Sequence, residues 1–160
     1  MKSFFKWTGI VLVTILIVAI FRGTYLDISR QELEEKYALG ESKFLILKDG
    51  SRIHYRDEGN NERPVIVLLH GFNGSLFNFE GLVSLLAEDF RLVSLDLPAF
   101  GLTGAVPSAN YMIENFVNTV LEVTTQLGIE KFSIVGNSMG GHVAWRYVLE
   151  YPDQIQGLIL

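Results

Sequence analysis

The chain has 160 residues, 49% of them apolar, a formal net charge of −5, a pI near 5.2 and no cysteine. That length suits one domain or part of a larger one, and the apolar share excludes a disordered chain. The acidic balance argues against nucleic acid as a partner, and the lack of cysteine excludes disulfides, thiolate zinc sites and a lipidated cysteine anchor.

The first segment, MKSFFKWTGIVLVTILIVAIF, is unbroken and apolar from Thr8 to Phe21, and Phe4, Phe5 and Trp7 extend it past Lys6. As a helix, Phe4 to Phe21 rises about 27 Å, close to the thickness of bilayer hydrocarbon. Lys6 can snorkel from near the end and Trp7 suits the interface. A cleaved signal peptide shares this pattern but wants small residues at both −3 and −1. Ile17-Val18-Ala19 and Phe21-Arg22-Gly23 do not supply them. Residues 1–22 are therefore read as a transmembrane anchor with the lipid bilayer as partner. Lys2 and Lys6 before the span and Arg22, Arg30 and Lys36 after it do not decide orientation. The short tail ahead of a folded domain inclines that domain to the extracytoplasmic side.

Residues 23–41 form a polar connector. Ser29 followed by Glu32 has capping-box spacing and Gly40 fits a C-terminal stop, so a short helix is expected over 30–39. The soluble part, residues 42–160, opens with KFLIL, the turn KDG and SRIHYRD, a hairpin. Alternation sets Ile53 and Tyr55 on one face and Arg52, His54 and Arg56 on the other, which makes His54 a solvent-side or edge residue. VIVLL, FRLVSLDLP and KFSIVG read as strands buried on both faces. Helices are expected over 77–87, with Leu82, Leu85 and Leu86 inward, over 111–127, and over 139–151. IQGLIL begins a further strand. The order, a hairpin and then alternating strands and helices, predicts an α/β fold: a mostly parallel sheet with helices on both faces.

Chemistry concentrates at Gly136-Asn137-Ser138-Met139-Gly140, a G-x-S-x-G pattern where a strand must turn sharply into a helix. Side chains at Gly136 and Gly140 would collide with neighbouring strand and helix, and the helix start aims amide N–H groups at the site. Acyl transfer needs two donors for a developing oxyanion, and the loop His70-Gly71-Phe72-Asn73-Gly74 follows a buried strand. His70 is read as structural, shaping the turn, and Asp96 in DLPAFGLTG as bonding local backbone.

HGFNGS, DLPAFG and GNSMGG, in this order and with AWRYVLEYPDQIQGLIL behind them, resemble the α/β-hydrolase superfamily over residues 44–160. The last block looks like the branch of serine esterases, lipases and carbon–carbon bond hydrolases. Family members often carry glycine where Ala99 stands. The resemblance implies Ser138 as nucleophile, the backbone N–H groups of Phe72 and Met139 as oxyanion hole, and His70, Gly71, Gly136 and Gly140 as structural support. It implies a small-molecule acyl substrate, no cofactor and no metal. Serine at position 138 disfavours dehalogenases and epoxide hydrolases, which use aspartate there.

The family's acid and histidine follow later strands. His142, one helical turn after Ser138, lies too deep along the helix to serve as base. The expectation is thus an N-terminal portion of a longer membrane-anchored serine hydrolase, its sheet stopping after about the sixth strand, with the rest of its Ser-His-Asp triad beyond Leu160. A carbon–carbon bond hydrolase and a non-catalytic tethered scaffold are the alternatives.

Overall fold

A computed structural model of the chain describes residues 2–23 and 28–160; residues 24–27 of the expected connector lie outside the described residues. The chain divides into two compact units at Glu32 and Leu33. In the first, α1 (Lys2–Gly23) is a continuous 22-residue helix, about 33 Å long. Its window Lys6–Gly23 has a mean hydropathy of 1.7, and none of that window is buried. Within it, Thr14 returns its hydroxyl to the Ile10 carbonyl at 2.9 Å, which satisfies that polar group inside the helix. Helix α2 (Arg30–Tyr37) begins as expected, with the Glu32 N–H donating to the Ser29 hydroxyl at 3.2 Å.

In the second unit, β1 (Ser42–Ile46), β2 (Arg52–Gly59), β3 (Val65–Leu69), β4 (Arg91–Leu95), β5 (Phe132–Gly136) and β6 (Ile155–Ile159) form one sheet in the order β1-β2-β4-β3-β5-β6. The hairpin joins β4 antiparallel through β2, while β4, β3, β5 and β6 run parallel. The all-apolar β3 lies between β4 and β5, as a strand covered on both faces must. The main core joins Val67, Leu69, Val93, Leu95 and Ile134 of the sheet to Phe116, Val117 and Val120 of α4 (Ile113–Gln126) and Val143, Ala144 and Tyr147 of α5 (Met139–Glu150). A second cluster on the other face joins Ile66, Leu68 and Leu92 to Phe79 and Val83.

Two expectations are corrected. A 3-10 turn, Leu76–Phe79, precedes α3 (Glu80–Leu86) and rotates the helix register, so Val83 is buried while Leu85 is 78% exposed and Leu82 also faces outward. Only Leu86 of the expected inward set packs against the core. His54 is not on a wet face or an edge: β2 is an interior strand, and His54 is fully buried. Its ring lies 5.0 Å from Phe44 and 6.2 Å from Phe77, which cover that face.

Candidate active site

Ser138 stands between β5 and α5 with φ 50° and ψ −111°, a conformation that L-residues avoid, and its side chain is exposed. The glycines around it are required by contact. A Cβ on Gly140 would fall onto the carbonyl oxygen of Leu69 and within 2.6 Å of that of His70, at the end of β3. One on Gly136 would meet the Gly140 carbonyl of α5. The Asn137 N–H donates to the Leu69 carbonyl at 3.0 Å, pinning the turn to β3.

The loop after β3 passes directly over this turn. A Cβ on Gly71 would sit 2.7 Å from Asn137 Oδ1 and 3.3 Å from the Ser138 Cβ. The loop closes through Gly74 N–H to the Gly71 carbonyl at 3.0 Å, with Asn73 at φ 56°. Phe72 is 70% exposed and meets Phe100 edge-on at 5.5 Å. Met139 is the first residue of α5, so its N–H has no helical acceptor. Among the described residues, neither the Phe72 nor the Met139 N–H donates to a protein acceptor.

His70 is fully buried. Its Nδ1 donates to the Gly71 carbonyl at 2.8 Å, and its Nε2 accepts from the Leu97 N–H at 3.0 Å. A carbonyl only accepts and an amide only donates, so the ring holds its single proton on Nδ1. Burial pushes its pKa below the ordinary 6.5, against the opposing pull of the Gly71 carbonyl and the Asp96 charge.

Asp96 is also fully buried, and its bonds reach beyond the local backbone. Its carboxylate accepts from Leu102 N–H at 2.8 Å, from Leu76 N–H at 2.7 Å and from His54 Nδ1 at 2.7 Å. Gly101, at φ 49°, lies so close over it that a Cβ would overlap the carboxylate. Ala99 holds φ 75°, a conformation in which glycine is the unstrained residue. The His54–Asp96 contact carried no signal in the sequence, because 42 positions separate the two residues.

An open, largely apolar hollow of ≈ 420 Å³ lies beside the serine, lined by Gly136, Ser138, Gly141, His142, Trp145 and Leu160. His142 is exposed and stacks on Trp145 at 6.0 Å. Among the described residues its side chain makes no hydrogen bond to Ser138. A larger groove of ≈ 660 Å³, lined by Glu41, Lys43, Arg56, Glu58 and Glu80 among others, does not include Ser138 in its lining. No group of three or more His, Cys, Asp or Glu that could hold a metal ion occurs among the described residues.

The sequence pattern of the alpha/beta hydrolase fold matches residues 64–160. An uncharacterized hydrolase of Saccharomyces cerevisiae is 33% identical over 113 residues, 71% of this chain and 39% of that protein. Epoxide hydrolase 4 of Homo sapiens is 30% identical over 125 residues, 77% of this chain and 34% of that one. A crystal structure of a membrane phospholipase A, described as a bacterial virulence factor, superposes with a TM-score of 0.71 at 25% identity, covering 94% of this chain and 50% of that one. The chain thus spans well under half the length of these two curated relatives. With the strand order, the strained serine turn and the glycine contacts that enforce it, this match places the chain in the alpha/beta hydrolase family.

Proposed function

We propose that the protein is a membrane-anchored serine hydrolase acting on ester-like acyl substrates, with Ser138 as nucleophile. The observation that carries the reading is the backbone of Ser138: a strained, exposed serine between a parallel strand and a helix start, held there by glycines that admit no side chain. Ser138 Oγ attacks the carbonyl carbon while a histidine takes its proton. The oxyanion is held by the Phe72 and Met139 N–H groups, the alcohol leaves with the proton, and water then cleaves the acyl-serine. The two buried histidines of this chain are engaged in its scaffold. The base and the acid that orients it are accordingly assigned to chain following Leu160, which agrees with the fraction of each relative that is spanned.

Serine itself separates this reading from epoxide opening. A serine oxygen that opens an epoxide leaves an ether, which water does not release, whereas a carboxylate leaves a hydrolysable ester. The likeness to a membrane phospholipase A over most of the chain favours esters presented at a bilayer, with α1 as the anchor. The test is labelling of the full-length protein in membranes by a fluorophosphonate. The wild type labels and Ser138→Ala does not; equal labelling of both would refute the assignment.

A further inference from the structure

The oxyanion-donor loop is fastened at two points, and only one of them is His70. The other is a buried assembly one layer further from the serine. Leu76, five residues after Gly71, is the first residue of the 3-10 turn that ends this loop, and its N–H donates to Asp96 Oδ1 at 2.7 Å. The other carboxylate oxygen, Oδ2, holds Leu102 N–H at 2.8 Å and His54 Nδ1 at 2.7 Å. Thr103 closes the assembly: its hydroxyl accepts from His54 N–H at 2.9 Å and donates to the Asp96 carbonyl at 2.7 Å. Asp96, His54 and Thr103 are at most 1% exposed. One carboxylate therefore joins β2, the loop after β3 and the loop after β4.

We infer that His54 and Asp96 are positioning residues for the oxyanion hole, setting the place of the Phe72 amide through Leu76 and the 3-10 turn. Neither touches substrate. His54 lies on β2, three strand spacings from β5, or about 14 Å across the sheet, which excludes it as a base for Ser138. Facing a carboxylate, Nδ1 of His54 is a donor, and it shares Asp96 Oδ2 with the Leu102 N–H while the Leu76 N–H takes Oδ1. Nε2 meets no hydrogen-bonding group among the described residues and lies among Phe44 and Phe77. Leaving a buried ring nitrogen unpaired is unfavourable, and a chain selected for stability alone would fill this site with an apolar side chain. A site retained for its Nδ1–H explains the arrangement: a buried charged carboxylate with three donors is rigid, and oxyanion donors act by being fixed before charge develops.

The inference rests on the assignment of Ser138 as nucleophile, so one experiment reads both. In the full-length protein, fluorophosphonate labelling is resolved into the reaction rate at saturation and the half-saturating concentration, beside thermal unfolding. Leu76→Pro removes the N–H, along with the buried leucine side chain, at the first position of a turn, where proline is tolerated and Ser75 before it is already extended. Leu76→Ala is its packing control. The expected result is a saturating rate lowered at least tenfold in Leu76→Pro relative to Leu76→Ala, with half-saturation moved less than threefold. His54→Leu should show the same loss, and His54→Asn, which keeps a short-reach N–H donor, should restore most of it. Equal rates in Leu76→Pro and Leu76→Ala overturn the inference, as does equal loss in His54→Asn and His54→Leu. A purely structural role would lower the fraction of protein that labels and leave the saturating rate unchanged. Should Ser138→Ala itself still label, the nucleophile assignment fails and the inference falls with it; with Ser138→Ala silent, the other variants judge the inference alone.

Discussion

At His70, a turn residue becomes a pH-sensitive fastening. Its Nε2 accepts the Leu97 N–H, so a second proton on the ring would set two N–H groups against each other inside the protein. Burial already holds its pKa below the ordinary 6.5. The unfolded chain takes up that proton near the ordinary value while the folded chain resists it. Stability from this residue is therefore complete above the ordinary value and declines as pH falls through it toward the lower folded value. The melting temperature should drop between about pH 7.5 and about pH 5.5. His70→Gln offers Leu97 an acceptor that does not titrate, and its melting temperature should vary less over that window. An unchanged slope in differential scanning calorimetry would contradict this account. The serine turn is legible because its close backbone approaches at Gly136 and Gly140 demand glycine, and glycine is visible in a sequence. The partnership of His54 with Asp96 is not, since nothing at either position declares what lies opposite across the sheet.

A long apolar stripe is legible in sequence: helix α4 has 14 residues, and Phe116, Val117 and Val120 of its stripe are buried, joined by Val123. Helix α3 has seven, too few turns for periodicity to choose a face, and the 3-10 turn before it sets the phase instead. Leu85 thus contributes little to the core, whereas Val83 closes the second cluster against Leu68 and Leu92. In chemical denaturation of the purified protein, Leu85→Lys should change stability by less than about 0.5 kcal/mol. Val83→Ala should cost about 2 kcal/mol, from lost transfer energy and the cavity left behind. A larger loss at Leu85 than at Val83 would mean the helix packs in the register first expected. The same reasoning explains His54: alternation marks one face of β2 as polar, but a sheet covered on both sides has no wet face. Polar residues there must find partners within the protein.

For the molecule as a whole, α1 is long and apolar enough to cross a bilayer, and the alpha/beta hydrolase unit begins within the next helix. If α1 is an anchor, alkaline carbonate should leave the protein in the membrane pellet; its release to the supernatant would count against a spanning helix. The sheet order, legible as a class from alternating strands and helices, has a consequence for synthesis. β3 lies between β4 and β5, both of which follow it in the chain. β4 arrives soon after, but β5 begins roughly sixty residues later, several seconds at ~5–20 residues per second. During that interval Val65–Leu69 presents a bare apolar edge, the kind of surface that pairs with a neighbouring nascent chain. The hazard this chain must survive therefore falls on the ribosome, before the serine turn exists, and slower initiation or holdase binding at β3 should raise the yield of folded protein.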